Sequence, residues 1–210
     1  MAQYALQNPA FFDFTDQQKR PCRGADQEWF LDAWQRKAGC GPTTAATILA
    51  YLAAENPRLS PLAQSDFSAH GFVTYMDAVW QHVTPTNRGL HKLGLFTEGA
   101  MAFAAAHGCT LRSRKLPIAS RLDCQRPSLK TCIDFMVNAL RQNQPIAFLN
   151  YSNGAESRLD SWHWVPIIAL EETAETCTCT ILDAGKEFSI DFALWHKTTK
   201  LGGGLVALSV

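Results

Sequence analysis

The sequence predicts an α+β fold, and three observations carry that prediction. Up to about residue 143 the apolar residues recur mainly at helical spacing. After Pro145 the pattern changes to short β-branched and aromatic runs separated by turn-rich stretches. Helices therefore precede strands instead of alternating with them, which argues for an antiparallel sheet and against a doubly wound α/β fold.

The elements follow in order. Residues 1–34 mix polar and aromatic segments without a strong period, and read as arm and loop with one short helix. Thr43 to Ala54 is predicted as a helix, because Ala45, Ala46, Ile48, Leu49 and Leu52 supply both propensity and an apolar stripe. It ends before Asn56-Pro57. Further helices are expected over Thr74–Val83, over the Ala-rich Thr97–His107 that stops at Gly108, and over Ser128–Gln142. Ile146–Tyr151, Trp162–Leu170, Cys177–Leu182, Glu187–Phe192 and Leu205–Val210 read as strands. Gly202-Gly203-Gly204 reads as a bend before the last of them.

A chain of 210 residues is long enough to bury one substantial core. The expectation is one domain over residues 1–210 in two lobes, helical over about 35–143 and sheet over about 144–210. Charge is balanced at 19 basic and 19 acidic residues, so there is no electrostatic footprint for nucleic acid or an anionic membrane. The first twenty residues lack a basic start followed by an apolar stretch, and runs such as Met101–Ala106 are too short to span a bilayer. Together these point to a cytoplasmic protein, with export by a signal-independent route and the oligomeric state left open. Seven irregularly spaced cysteines in such a chain read as free thiols. Cys177 and Cys179 share one face of a predicted strand, but no second Cys or His pair completes a zinc site, so no metal and no cofactor is expected.

One cysteine stands apart. Cys40 lies in Gly39-Cys40-Gly41-Pro42, a turn-prone segment leading straight into the first predicted helix. A helix N-terminus carries about half a positive charge and unpaired N–H groups, which favour a thiolate over a thiol. Pro42 fits there because an N–H in the first turn has no partner. Such a nucleophile needs a base, and the base needs an acceptor on its other ring nitrogen. Six histidines are available, at 70, 82, 91, 107, 163 and 196. Only His163 has an argued partner. The predicted hairpin of Trp162–Leu170 and Cys177–Leu182 turns over Glu171–Thr176, and symmetric pairing about residues 173–174 sets His163 against residues 183 to 185. Asp183 is among them, and directly opposed side chains share a face with β-carbons about 4.5–5.5 Å apart. A slip of one residue sends the two to opposite faces. Gln35, one short loop before Cys40, is a candidate donor to the oxyanion of an acyl transfer.

The blocks Gln-x4-Cys-Gly-Pro-Thr-Thr-Ala-Ala, His-Trp-Val and Ile-Leu-Asp-Ala-Gly resemble the papain-like cysteine peptidases. More narrowly, they resemble the bacteriocin-processing (double-glycine) branch and its stand-alone bacterial relatives. The resemblance implies a papain-like fold, a nucleophile helix followed by an antiparallel sheet. It makes Cys40 the nucleophile, His163 the base and acid, Asp183 the orienting residue and Gln35 the oxyanion donor. The glutamine of that group stands six positions before the cysteine, and here it stands five. The expected activity is hydrolysis of a peptide or isopeptide amide through a thioester, with a peptide or protein substrate. A papain-like amidase or transpeptidase, phytochelatin-synthase-like or peptidoglycan-directed, would use the same residues. A peptide-binding module without turnover is the reading of another class. Gly-x-Ser-x-Gly, phosphate-loop and His-Glu-x-x-His patterns are absent. Residues 59–126 resemble no family.

Overall fold

The computed structural model describes residues 2–173 and 176–210. In chain order the strands and helices are β1 (Ala2–Ala5), β2 (Asp13–Thr15), β3 (Pro21–Arg23), α1 (Ala33–Ala38), α2 (Cys40–Glu55), α3 (Ala69–Trp80), α4 (Leu93–Ala106), β4 (Arg112–Ile118), α5 (Leu129–Arg141), β5 (Ile146–Asn150), β6 (His163–Glu172), β7 (Cys177–Asp183), β8 (Lys186–Asp191), α6 (Phe192–Thr198) and β9 (Gly203–Ser209). The class is α+β. One sheet runs in the order β4-β9-β5-β6-β7-β8, with β1 beside the far half of β6, and its ladders are antiparallel. β2 and β3 form a separate small hairpin.

Alternation along the strands divides the core between two faces of the sheet. Ala147 and Leu149 of β5, with Val206 and Leu208 of β9, pack with α2, α3 and α4. Ile146, Phe148, Leu205 and Ala207 face the other way, onto α5 and α6, where Met136, Phe192 and Trp195 are fully buried. Helix α2 is buried on every side from Gly41 to Ala53. That all-round burial explains why its sequence is dominated by apolar and small residues.

The helices begin at caps the sequence carries. Ser68 accepts from the Gly71 N–H, so α3 starts five residues before the expected Thr74. Ser128 caps α5 by accepting from the Thr131 N–H. Helix α2 starts at Cys40, three residues earlier than Thr43, because Gly39 is itself helical and joins α1 to α2. A Cβ on Gly39 would lie 2.4 Å from the Gln35 carbonyl oxygen, so only glycine permits this close junction.

Helices first and strands second is only partly the architecture. Strand β1 precedes every α-helix, and β4 lies inside the expected helical lobe, where it pairs along its whole length with β9. Strands of the one sheet therefore come from both sides of residue 143. The region 112–118 escaped a strand reading because it is an edge: Arg112, Ser113, Arg114 and Lys115 are wholly or partly exposed, with no apolar alternation. Phe192, expected at the end of a strand, instead opens α6, which Asp191 caps by accepting from Leu194 N–H. Gly203 and Gly204 are in β9, and only Gly202 bends, at φ +74°.

Candidate active site

Cys40 is the first residue of α2, partly exposed, and lines two neighbouring cavities of about 200 and 250 Å³. The buried body of α2 fixes its position, and contacts of α2 with β5 and β6 bring the start of β6 alongside. His163 is the first residue of β6 and Asp183 the last of β7. Asp183 Oδ1 lies 2.8 Å from His163 Nε2, and both side chains are largely shielded from solvent.

A β-bulge makes that bond possible. From Glu172 with Cys177 to Ala169 with Thr180, β6 and β7 pair in one register; beyond Ile168 they resume with Ile167 opposite Ile181. Ile168 is the extra residue. Without it the outer register, carried on, would set Asp183 opposite Pro166 and therefore on the other side of the strand from His163. With it, Asp183 falls level with Val165, one diagonal step from His163 on the same side. The directly opposed pairing expected from the sequence is corrected to a diagonal one. The turn from Glu171 to Thr176 was the basis of that expectation, and its residues 174 and 175 lie outside the described residues. Asp183 also closes the β7–β8 hairpin opposite Lys186, across Ala184 and Gly185, both with positive φ. That is the two-residue turn whose twist suits a hairpin.

Burial would lower the His163 pKa, but the hydrogen bond it donates to Asp183 and the nearby Cys40 side chain outweigh it and raise it to about 10. With Nε2 on Asp183, Nδ1 is the ring nitrogen left for Cys40. Trp164, the next residue, is buried, stacks on Phe96 and donates its indole N–H to the Leu90 carbonyl at 2.6 Å. It anchors the strand that presents the imidazole. Trp162 is instead exposed, sits at φ +59° and walls the larger cavity beside Tyr151.

Cys40, His163 and Asp183 are thus together; Gln35 is not. Its amide donates to Asp77 Oδ1 of α3 at 2.8 Å, and it lines neither cavity at Cys40. The helical turn of α1 points it away. The glutamine at Cys40 is Gln27, whose Nε2 donates to the Arg36 carbonyl at 2.7 Å. Gln27, Asp26, Thr43 and Asp160 line the smaller cavity and were not singled out in the sequence. Asp26 and Gln27 lie in the arm that has no period, although the threonines of Thr43-Thr44-x-x-Thr47 are visible as a polar face on an apolar helix.

Three of the other cysteines lie where burial disfavours the thiolate. Burial pushes Cys22 up to about 11 and Cys132 up to about 12, and raises Cys179 well above the usual thiol range. All seven are free thiols. Among the described residues no group of three or more His, Cys, Asp or Glu side chains is placed to hold a metal ion. Among them, too, no helix is long and apolar enough to cross a membrane.

Comparison with known protein families finds no family model that matches the chain, and comparison with curated proteins finds no matching sequence.

Proposed function

We propose that this protein is a papain-like cysteine hydrolase that cleaves a peptide or isopeptide amide. The observation that carries the reading is the single imidazole shared by a helix-start thiol and a half-buried carboxylate: His163 holds Asp183 at 2.8 Å on one nitrogen and has Cys40 beside it. A partly exposed cysteine so placed can pass its proton to the ring and attack a carbonyl carbon.

In the proposed cycle, Cys40 Sγ adds to the carbonyl carbon and His163 carries the thiol proton. Backbone N–H groups at the start of α2 face the developing oxyanion, as helix N-termini do. Collapse of the tetrahedral species breaks the C–N bond, and the imidazolium gives its proton to the leaving amine. The thioester is then hydrolysed by water, which yields its proton to His163; the acid leaves and the thiol is restored. Asp183 keeps Nε2 protonated and turned, so that Nδ1 faces sulfur throughout. Gln35 has no part in this cycle, since its amide is held by Asp77.

The test is incubation of the protein with a mixed peptide library, with new N-termini read by mass spectrometry. New termini should appear with the wild type and vanish with Cys40→Ala and with His163→Ala. Termini that persist in Cys40→Ala, or none with the wild type, would contradict peptide hydrolysis.

A further inference from the structure

Two buried side-chain polar atoms lack a hydrogen-bond partner among the described residues, Gln27 Oε1 and Thr43 Oγ1. The two residues that carry them both line the same cavity, the smaller one at Cys40. Unpaired buried acceptors are costly in a folded chain and mark a place completed by something else. Thr43 is 7% exposed, and its neighbour Thr47 already spends its hydroxyl on the Thr43 carbonyl. What would satisfy Gln27 Oε1 is a donor, and a hydroxyl can also accept one.

The charge of the cavity specifies the donor. Asp26, Glu28 and Asp160 line it together with the His163–Asp183 pair. Among the described residues no basic side chain forms an ion pair with Asp26 or Asp160, and Glu28 meets Arg36 only at 4.0 Å. Burial and the neighbouring Asp183 raise the Asp26 pKa, against the hydrogen bond from Glu28 N–H and the charge of Lys186. This is a carboxylate short of positive charge. The second cavity at Cys40 has the opposite character, with Lys37, Arg88 and His91 in its wall. A cation is therefore favoured on one side of the nucleophile and disfavoured on the other.

We infer that the cavity bounded by Asp26, Gln27, Thr43 and Asp160 receives a lysine or arginine side chain of the substrate. An ammonium or guanidinium brings several donors and no acceptor, which matches two unmet acceptor atoms and an unpaired carboxylate. A volume of about 200 Å³ accommodates one such side chain beside the sulfur. The inference rests on Cys40 being the nucleophile and adds the substrate class: a chain with a basic residue next to the bond cleaved.

The experiment follows Cys40 carbamidomethylation by iodoacetamide in the full-length protein, with acetyl-lysine-methylamide, acetyl-arginine-methylamide or acetyl-norleucine-methylamide as protectant. A basic compound should protect Cys40 at a concentration about tenfold or more below that for the norleucine compound, the ratio one charge-assisted hydrogen bond supports. Asp26→Asn keeps a side-chain acceptor for the Glu28 N–H and should bring the compounds close to parity. Thr43→Val should weaken protection by the basic compounds and spare that by norleucine. Equal protection in the wild type, no protection up to the solubility limit, or a preference that survives Asp26→Asn would overturn the inference. Labelling without protectant, compared between wild type and His163→Ala, tests the nucleophile separately, so failure of the pocket is distinguishable from failure of the peptidase reading.

Discussion

His163 answers to opposing influences: burial disfavours its charge, while Asp183 and Cys40 favour it and prevail, placing its pKa at about 10. The folded chain thus keeps a proton that the unfolded chain releases near 6.5, and this stabilises the fold most below 6.5. The contribution declines as pH rises from there through about 10. Asp183→Asn removes the main partner of the imidazolium. Urea unfolding should therefore show a larger wild-type advantage over Asp183→Asn at pH 6.5 than at pH 10, and an advantage that grows with pH would contradict the pairing. At this scale the sequence was legible where chemistry is local: glycine, cysteine and proline in a row announce a helix start. Gln35 was misleading because distance along the chain says nothing of direction. Inside α1 its side chain leaves on the face toward Asp77. Gln27, thirteen residues before Cys40, carried no signal, since only the fold brings the two together.

At the scale of elements, the bulge at Ile168 decides whether the site exists, because it restores the face parity that joins His163 to Asp183. Pro166, which cannot donate to a ladder, is the one sign of it in the sequence; Val165, Ile167, Ile168 and Leu170 read equally well as an unbroken strand. Symmetric pairing about residues 173–174 still selects Asp183, because the bulge shifts β7 back toward that register beyond Ile168. Strand β9 shows another limit. Three glycines read as a bend, yet Gly203 and Gly204 pair with β5 and β4. They are glycines because the neighbouring chain comes so close: a Cβ on Gly203 would lie 1.9 Å from the Leu149 carbonyl oxygen. Gly203→Ala should cost about 1–3 kcal/mol, as overpacked sites do, measured by denaturant midpoint. An unchanged midpoint would contradict that registry.

For the whole molecule, the class was legible because hydrophobic period is a local property, and the helix and strand zones were read largely correctly. The sheet's assembly was not, because β1 and β4 join it from far away and carry too little apolar alternation to announce themselves. β1 pairs Ala2 to Ala5 with Glu172 to Ala169, covering the half of β6 that β5 does not reach. Deleting residues 2–6 should lower Tm by several degrees, since about 1 kcal/mol corresponds to about 2–4 °C in a chain of this size. The Cys40 labelling profile should be unaffected, because His163 pairs with Asn150 at the opposite end of β6. An unchanged Tm in calorimetry would contradict the pairing of β1.

The central claim is that Cys40 and His163 act as a pair, and iodoacetamide labelling against pH, resolved site by site, tests it most directly. Near neutral pH, Cys40 should label far faster than exposed Cys124 and buried Cys109. His163→Ala should move its labelling profile to higher pH. If Cys40 follows the profile of Cys124 in both proteins, it is an ordinary thiol and the account of the site is wrong.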